Sequence, residues 1–268
     1  MALFLVVALP CASAEENPWA ALATPAPGPA RAVGGYSAGC LIGGEALPLT
    51  GDGWRIMAPQ RGRLYGHPQL VAAIRALASA ARAEHLGLLG VGDLGQPRGG
   101  PAPSGHASHQ SGLDVDLWYV VGGTRRKPSA PSLVDGKTLE PTRYLGAKVV
   151  RLLELAATDE RVARLFVHPS IKRALCSRFP TPESRAWLHK VRPWWGHDHH
   201  FHLRLACPAD SPECVPQEEI APGDGCEEMT FWFSEATSEE RDKQRAEYKK
   251  RVGARPPLPE TCQALVAP

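Results

Sequence analysis

Six cysteines remain once the apolar N-terminus is set aside: Cys40, Cys176, Cys207, Cys214, Cys226 and Cys262. An even set of this kind in an exported chain predicts a fold tied by three disulfides. The export reading rests on the apolar run Ala2 to Leu9, followed by Ala12-Ser13-Ala14, a small-x-small cleavage pattern that makes residues 1–14 a signal peptide. That run is too short to span a bilayer, and no later segment is long and apolar enough to do so. Cys11 follows Pro10, where a lipoprotein signal wants a small residue, so it is not read as an anchor. Spacing alone leaves the pairing of the other six open, although Cys207 and Cys214 flank a short turn segment and are close enough to pair locally. The absence of any CxxC argues against a cysteine metal site.

A chain of 268 residues with 43% hydrophobic content buries one sizeable core. Its net charge of +2 comes from evenly spread Lys, Arg, Asp and Glu, which speaks against nucleic acid as a partner. The 26 Gly and 26 Pro predict short elements separated by loops. Residues 15–35, rich in Ala and Pro, read as a linker. Residues 36–262 read as a single domain that includes a charged extension from about 230 to 262, with an exposed helix over Ser238 to Arg251. Apolar residues at three- and four-residue spacing predict helices from Pro68 to about His85 and over Val149 to Ala157, with shorter ones at Ile171 to Cys176 and Glu183 to Val191. Strands are predicted at Leu86 to Val91, Leu113 to Val120, Leu165 to Val167 and His199 to Leu205. Alternation in the last of these puts His200, His202 and Arg204 on one face. No internal repeat is present, and homodimerisation is left open.

Six of the ten histidines fall in two windows, residues 105–116 and 194–202. His109, Asp116 and His202 can supply three N and O ligands and leave a fourth position open, the arrangement of a catalytic zinc site. This requires the strands that carry Asp116 and His202 to be neighbours. Zinc held there would draw a nucleophile from water near neutral pH and polarise a scissile carbonyl, so amide hydrolysis is the expected reaction. No HExxH motif supplies a base, and His200 and His197 are the candidates for proton carrier and oxyanion stabiliser, interchangeable at this level. Asp114 either orients a ligand imidazole or is solvated. His67, His85, His168 and His189 read as structural.

These segments together resemble the penicillin-insensitive murein endopeptidases, within the lysostaphin-like and D-alanyl-D-alanine metallopeptidases. The resemblance is carried by Tyr65-Gly-His-Pro, Gly92-Asp-Leu-Gly, Gly105-His-Ala-Ser-His-Gln-Ser-Gly-Leu-Asp-Val-Asp116, Lys190-Val-Arg-Pro-Trp-Trp195, His200-Phe-His-Leu-Arg-Leu205 and Cys207-Pro-Ala-Asp-Ser-Pro-Glu-Cys214. It implies a periplasmic Zn2+ endopeptidase that cuts D-alanyl–meso-diaminopimelate cross-links of peptidoglycan. It assigns His109, Asp116 and His202 to the metal, and His197 and His200 to catalysis. The implied disulfides are Cys40–Cys262, Cys176–Cys226 and Cys207–Cys214. The implied fold is α+β, a small antiparallel sheet carrying the zinc site with helices and disulfide-tied loops around it. A second site in such proteins draws on a histidine three before the first ligand and on an Asp-Gly-Lys-His segment. Here His106 and Asp135 stand in those positions, but Thr138 replaces the last histidine, which leaves the two as a second site or as residues behind the first. The competing expectations are a D,D-carboxypeptidase or dipeptidase of the same metal class, which needs a cation to hold a free carboxylate, and a non-catalytic envelope protein that binds murein or metal; Arg204 is the candidate for that cation, or for binding the anionic diaminopimelate end of a cross-link.

Overall fold

The computed structural model describes residues 17–103, 106–123, 128–234, 243 and 257–267. The expected signal peptide and Cys11 lie outside the described residues, as does nearly all of the expected helix 238–251. The strands in chain order are Arg31–Gly35 (β1), Ala38–Ile42 (β2), Glu45–Ala46 (β3), Thr50–Gly51 (β4), Trp54–Ile56 (β5), Tyr65–Gly66 (β6), Leu89–Val91 (β7), Asp114–Trp118 (β8), Gly122–Gly123 (β9), Pro128–Ser129 (β10), Val162–Val167 (β11), Val191–Pro193 (β12) and His200–Leu205 (β13). Seven of them form one sheet in the order β12-β11-β13-β8-β7-β5-β4. Its centre, β11-β13-β8-β7, is antiparallel. Towards the edges, β12 joins β11 and β5 joins β7 in parallel. The α+β expectation holds, with an antiparallel centre; beyond that centre the sheet is larger than expected and mixed. The cause is helical crossovers between β5 and β7 and between β11 and β12, since a crossover returns the next strand in the same direction.

The first crossover is α1 (Pro68–Ala83), which buries Leu70, Val71, Ile74 and Leu77 at helical spacing. α2 (Ala147–Thr158) buries Val149, Leu152 and Leu153 and packs on β11. The second crossover contains α3 (Pro169–Arg178) and α4 (Pro182–Arg185), the latter running into a 3-10 turn over Ala186–Lys190. α1 and α3 start alike. A histidine side chain, His67 or His168, accepts a hydrogen bond from the amide two residues on, and a proline follows at the first helical position. Both imidazoles are buried and act as caps, in keeping with their structural reading.

One face of the sheet carries the apolar core. Val115 and Leu117 of β8 and Phe201, Leu203 and Leu205 of β13 alternate with the polar residues of the same strands, and all five are buried. The other face is polar and carries the site.

The segment expected as a linker is not one where it is described. Trp19 is 4% exposed and packs with Val33, Cys40, Ile42 and Cys262, while β1 pairs along its whole length with β2. Low hydrophobic periodicity hid a segment that is fixed by one buried tryptophan and a hairpin. The bridges are Cys40–Cys262, Cys176–Cys226 and Cys207–Cys214. The first spans 222 residues and ties the C-terminal turn Glu260–Gln263 to β2. Of the three it removes the most loop entropy from the unfolded chain.

Candidate metal centre

The register of the two central strands sets His202 directly opposite Asp116, and Arg204 opposite Asp114. Directly paired residues share a face, so both carboxylates, His202 and Arg204 stand together on the polar side of the sheet. His109 reaches them from the loop before β8. Its backbone has φ 67°, an uncommon left-handed value for a residue with a Cβ, and its amide donates to Asp114 Oδ2 at 3.0 Å. Gly112 lies between them at φ 75°, where an added Cβ would come within 2.7 Å of Leu41. The turn that aims His109 back over Asp116 therefore needs glycine there.

Asp116 is the hub. Its Oδ1 lies 3.5 Å from His109 Nε2 and 3.2 Å from His202 Nδ1. Its Oδ2 lies 3.4 Å from His106 Nε2 and 3.6 Å from His200 Nε2. Both ring nitrogens of His109 and Asp116 Oδ1 are buried without a hydrogen-bond partner, a costly state for groups removed from water. Ligand atoms about 2.1 Å from a tetrahedral metal lie about 3.4 Å apart, so the unpartnered cluster has the spacing that such an ion would satisfy. The donor set therefore fits a metal.

Two triads share His109 and Asp116. His106, His109 and Asp116 lie close enough together to hold an ion. The set with His202 in place of His106 is the one expected from the sequence. His106 uses the same Nε2 on Asp93 Oδ2, at 3.0 Å, as it turns to Asp116. His202 divides its nitrogens, Nδ1 towards Asp116 and Nε2 3.0 Å from Asp114 Oδ1, so a carboxylate stands behind an imidazole whose other nitrogen faces the cluster. Asp135 is exposed, and its carboxylate accepts the amides of Lys137 and Thr138. His106, for its part, stands against Asp93 and Asp116.

Asp114 is buried rather than solvated, and it stands behind the ring of His202. It is fully buried, and it accepts from the His109 amide and from Arg204 through Nε at 2.8 Å and Nη2 at 3.1 Å. Burial raises its pKa, but Arg204 and His202 outweigh that and hold it far below the usual carboxylate range. Burial likewise pushes His202 down, but Asp114 and Asp116 push it up to about 9 in the metal-free protein. Arg204 is 7% exposed, paired to Asp114 and packed over the rings of Tyr36 and Phe166. It is not available to grip a substrate carboxylate, which overturns that expectation. Asp114→Asn is expected to weaken metal binding by about 10- to 100-fold, the usual effect of losing a carboxylate behind a ligand imidazole. Competition against a chelator of known affinity would check it, and unaltered affinity would remove the orienting role.

His200 lines the cleft with Asp116, Trp118 and His106. His197 is not among the residues that line it, and its ring lies 5.1 Å from that of His200 and 6.0 Å from that of His202. Burial, with His200 and His202, pushes its pKa down to about 3. Its Nδ1 lies 3.2 Å from the Trp195 carbonyl, which can only accept, so the neutral ring presents Nε2 as an acceptor. An oxyanion requires a donor. The geometry therefore does not support His197 in that part.

Carboxylate and imidazoles on the polar floor of an α+β sheet, with unpartnered donors at metal-ligand spacing, define a site of the metallohydrolase class. Known proteins narrow it further. A family model described as penicillin-insensitive murein endopeptidase matches residues 32–267. The penicillin-insensitive murein endopeptidase of Yersinia enterocolitica is 42% identical over 259 residues, covering 93% of this chain and 90% of the relative. The protein of the same name from Salmonella heidelberg is 41% identical over 264 residues, covering 95% and 93%. The chain belongs to the penicillin-insensitive murein endopeptidase family, and so to the peptide hydrolases.

Proposed function

We propose that this chain is an exported zinc endopeptidase that hydrolyses D-alanyl–meso-diaminopimelate cross-links of peptidoglycan in the periplasm. The observation that carries the reading is Asp116 Oδ1 standing between His109 Nε2 and His202 Nδ1, in a chain that matches the family from residue 32 to 267. Three disulfides suit an oxidising compartment, which for a murein-cutting enzyme is the periplasm. Among the described residues no helix is long and apolar enough to cross a membrane.

In this reading His109, Asp116 and His202 hold the metal, and Asp114 fixes the ring of His202. When bound, zinc would supply a nucleophile from water at neutral pH and polarise the scissile carbonyl. His200, at the cleft and 3.6 Å from Asp116, takes up the proton released there and returns it to the leaving amine. His197 backs His200 as a neutral acceptor. Lacking a serine nucleophile in the scheme, the reaction offers penicillin nothing to acylate. Arg204, the cation first considered for a carboxypeptidase, is held by Asp114, and the products separate that alternative from the endopeptidase.

Digestion of purified cross-linked murein, followed by separation of the muropeptides, tests the proposal. Cross-linked dimers should disappear in the presence of penicillin, persist with a chelator, and disappear again when zinc is restored. Dimers that survive zinc-loaded, disulfide-intact protein would end the endopeptidase reading. Release of free D-alanine alone would favour the carboxypeptidase.

A further inference from the structure

We propose that Arg61 reads a carboxylate on the amine side of the scissile bond, and so selects substrates whose leaving amine is an α-amino acid with a free carboxylate. The inference rests on the endopeptidase reading above and deepens it. The scissile nitrogen of a D-alanyl–diaminopimelate cross-link is attached to a carbon that also bears a carboxylate, so an anion stands one carbon from the leaving group. With Arg204 locked to Asp114, the site needs another cation to meet that charge.

Arg61 is placed to do so. It ends the 3-10 turn Pro59–Arg61, which is closed by Gly62 at φ 65°. Among the described residues that line the metal cleft it is the one Lys or Arg, sharing the wall with His106, Asp116, Trp118 and His200. Its side chain is 56% exposed, and Nη1 donates to Asp93 Oδ2 at 3.0 Å. Three contacts in series lead from it to the hub: Arg61 to Asp93 at 3.0 Å, Asp93 to His106 at 3.0 Å and His106 to Asp116 at 3.4 Å.

Asp93 does not depend on Arg61 alone for a counter-charge. The buried Arg63, 8% exposed in its side chain, already meets the same Asp93 Oδ2 at 2.9 Å. Two guanidiniums share one carboxylate oxygen, and Arg61 is the one of the two that lines the cleft. Asp93 uses one of five N–H donors, so the rest of the planar fork keeps the geometry for a carboxylate. A second cation held by a buried anion, yet turned to the cleft, is preorganised to bind an anion there.

The test compares two cross-linked stem-peptide dimers that differ only at the diaminopimelate centre next to the scissile amide, free carboxylate in one and carboxamide in the other. Binding to the zinc-loaded mature protein is measured by calorimetry at low temperature, and cleavage is measured separately as kcat and KM. The parent should favour the free carboxylate by about 10- to 100-fold in affinity, the worth of a hydrogen-bonded charge pair. In Arg61→Gln the ratio should fall to near one, and in Arg61→Lys a large part of it should persist. A ratio that Arg61→Gln leaves as it was, or a parent ratio already near one, overturns the assignment. Because a purely structural loss would weaken both peptides alike, the ratio isolates recognition. Absence of cleavage of either dimer would count against the endopeptidase reading, while the binding ratio would still decide the role of Arg61.

Discussion

Asp116→Asn is expected to remove metal-dependent hydrolysis while leaving a folded protein with its disulfides formed. Asp116 is in contact with four imidazoles: two face Oδ1 and two face Oδ2. Asparagine keeps the shape but replaces an anion with a neutral group, one end of which is a donor aimed at ring nitrogens that should face an ion. Loss of a carboxylate behind a ligand imidazole typically costs about 10- to 100-fold in metal affinity, and loss of a carboxylate in the ligand set should exceed about 100-fold. Muropeptide release should fall in step. Zinc content after dialysis, and the rise in Tm on adding zinc, report the metal without reference to activity, because an ion that binds only the folded state raises its stability. Parallel replacement of His202 and His106 by alanine distinguishes the two triads. His202→Ala should lose the ion, and His106→Ala should keep most of it, since His106 Nε2 is engaged by Asp93. The opposite pattern would move the metal to His106, His109 and Asp116.

The parts of this site that a reader of the sequence could reach are those governed by short periods. Alternation over Leu113 to Val120 and His199 to Leu205 separates the polar face from the buried one, and the pleat of a strand makes that separation dependable. The register that sets His202 opposite Asp116 is not local information. It follows from a sheet order in which β8 and β13, far apart in the chain, become neighbours. Asp114 was within reach, two positions from Asp116 and on the same face, but its burial depends on Arg204 arriving from the partner strand. Asp93 and Arg61 carried no such signal. One follows the three-residue strand β7 and the other ends a three-residue turn, elements too short to show a period. The packed N-terminal segment escaped for a related reason, because a single buried Trp19 makes no pattern.

His200→Ala should lower kcat by about 100- to 10,000-fold at full zinc content, the range over which a positioned acid–base group acts. Two features single out His200. It stands at the cleft, its side chain 24% exposed, and its Nε2 is near Asp116 Oδ2 rather than Oδ1, on the side away from His109 and His202. A proton carrier needs contact with the reacting groups and a pKa near the working pH; burial lowers the pKa of both imidazoles, and that of His197 as far as about 3. His197 is not among the residues that line the cleft, and it is tethered to the Trp195 carbonyl. Its replacement by alanine should therefore cost less than that of His200. The comparison is made with single-turnover rates on a defined cross-linked peptide, with zinc content measured for each protein. If His197→Ala proves the more damaging at equal zinc occupancy, the proton passes through His197, and the exposed ring of His200 becomes the group that steadies the oxyanion. An acceptor nitrogen beside two other imidazoles would then have to gain basicity when substrate binds, a change that substrate titrations followed by histidine NMR would register as a shift of that one ring.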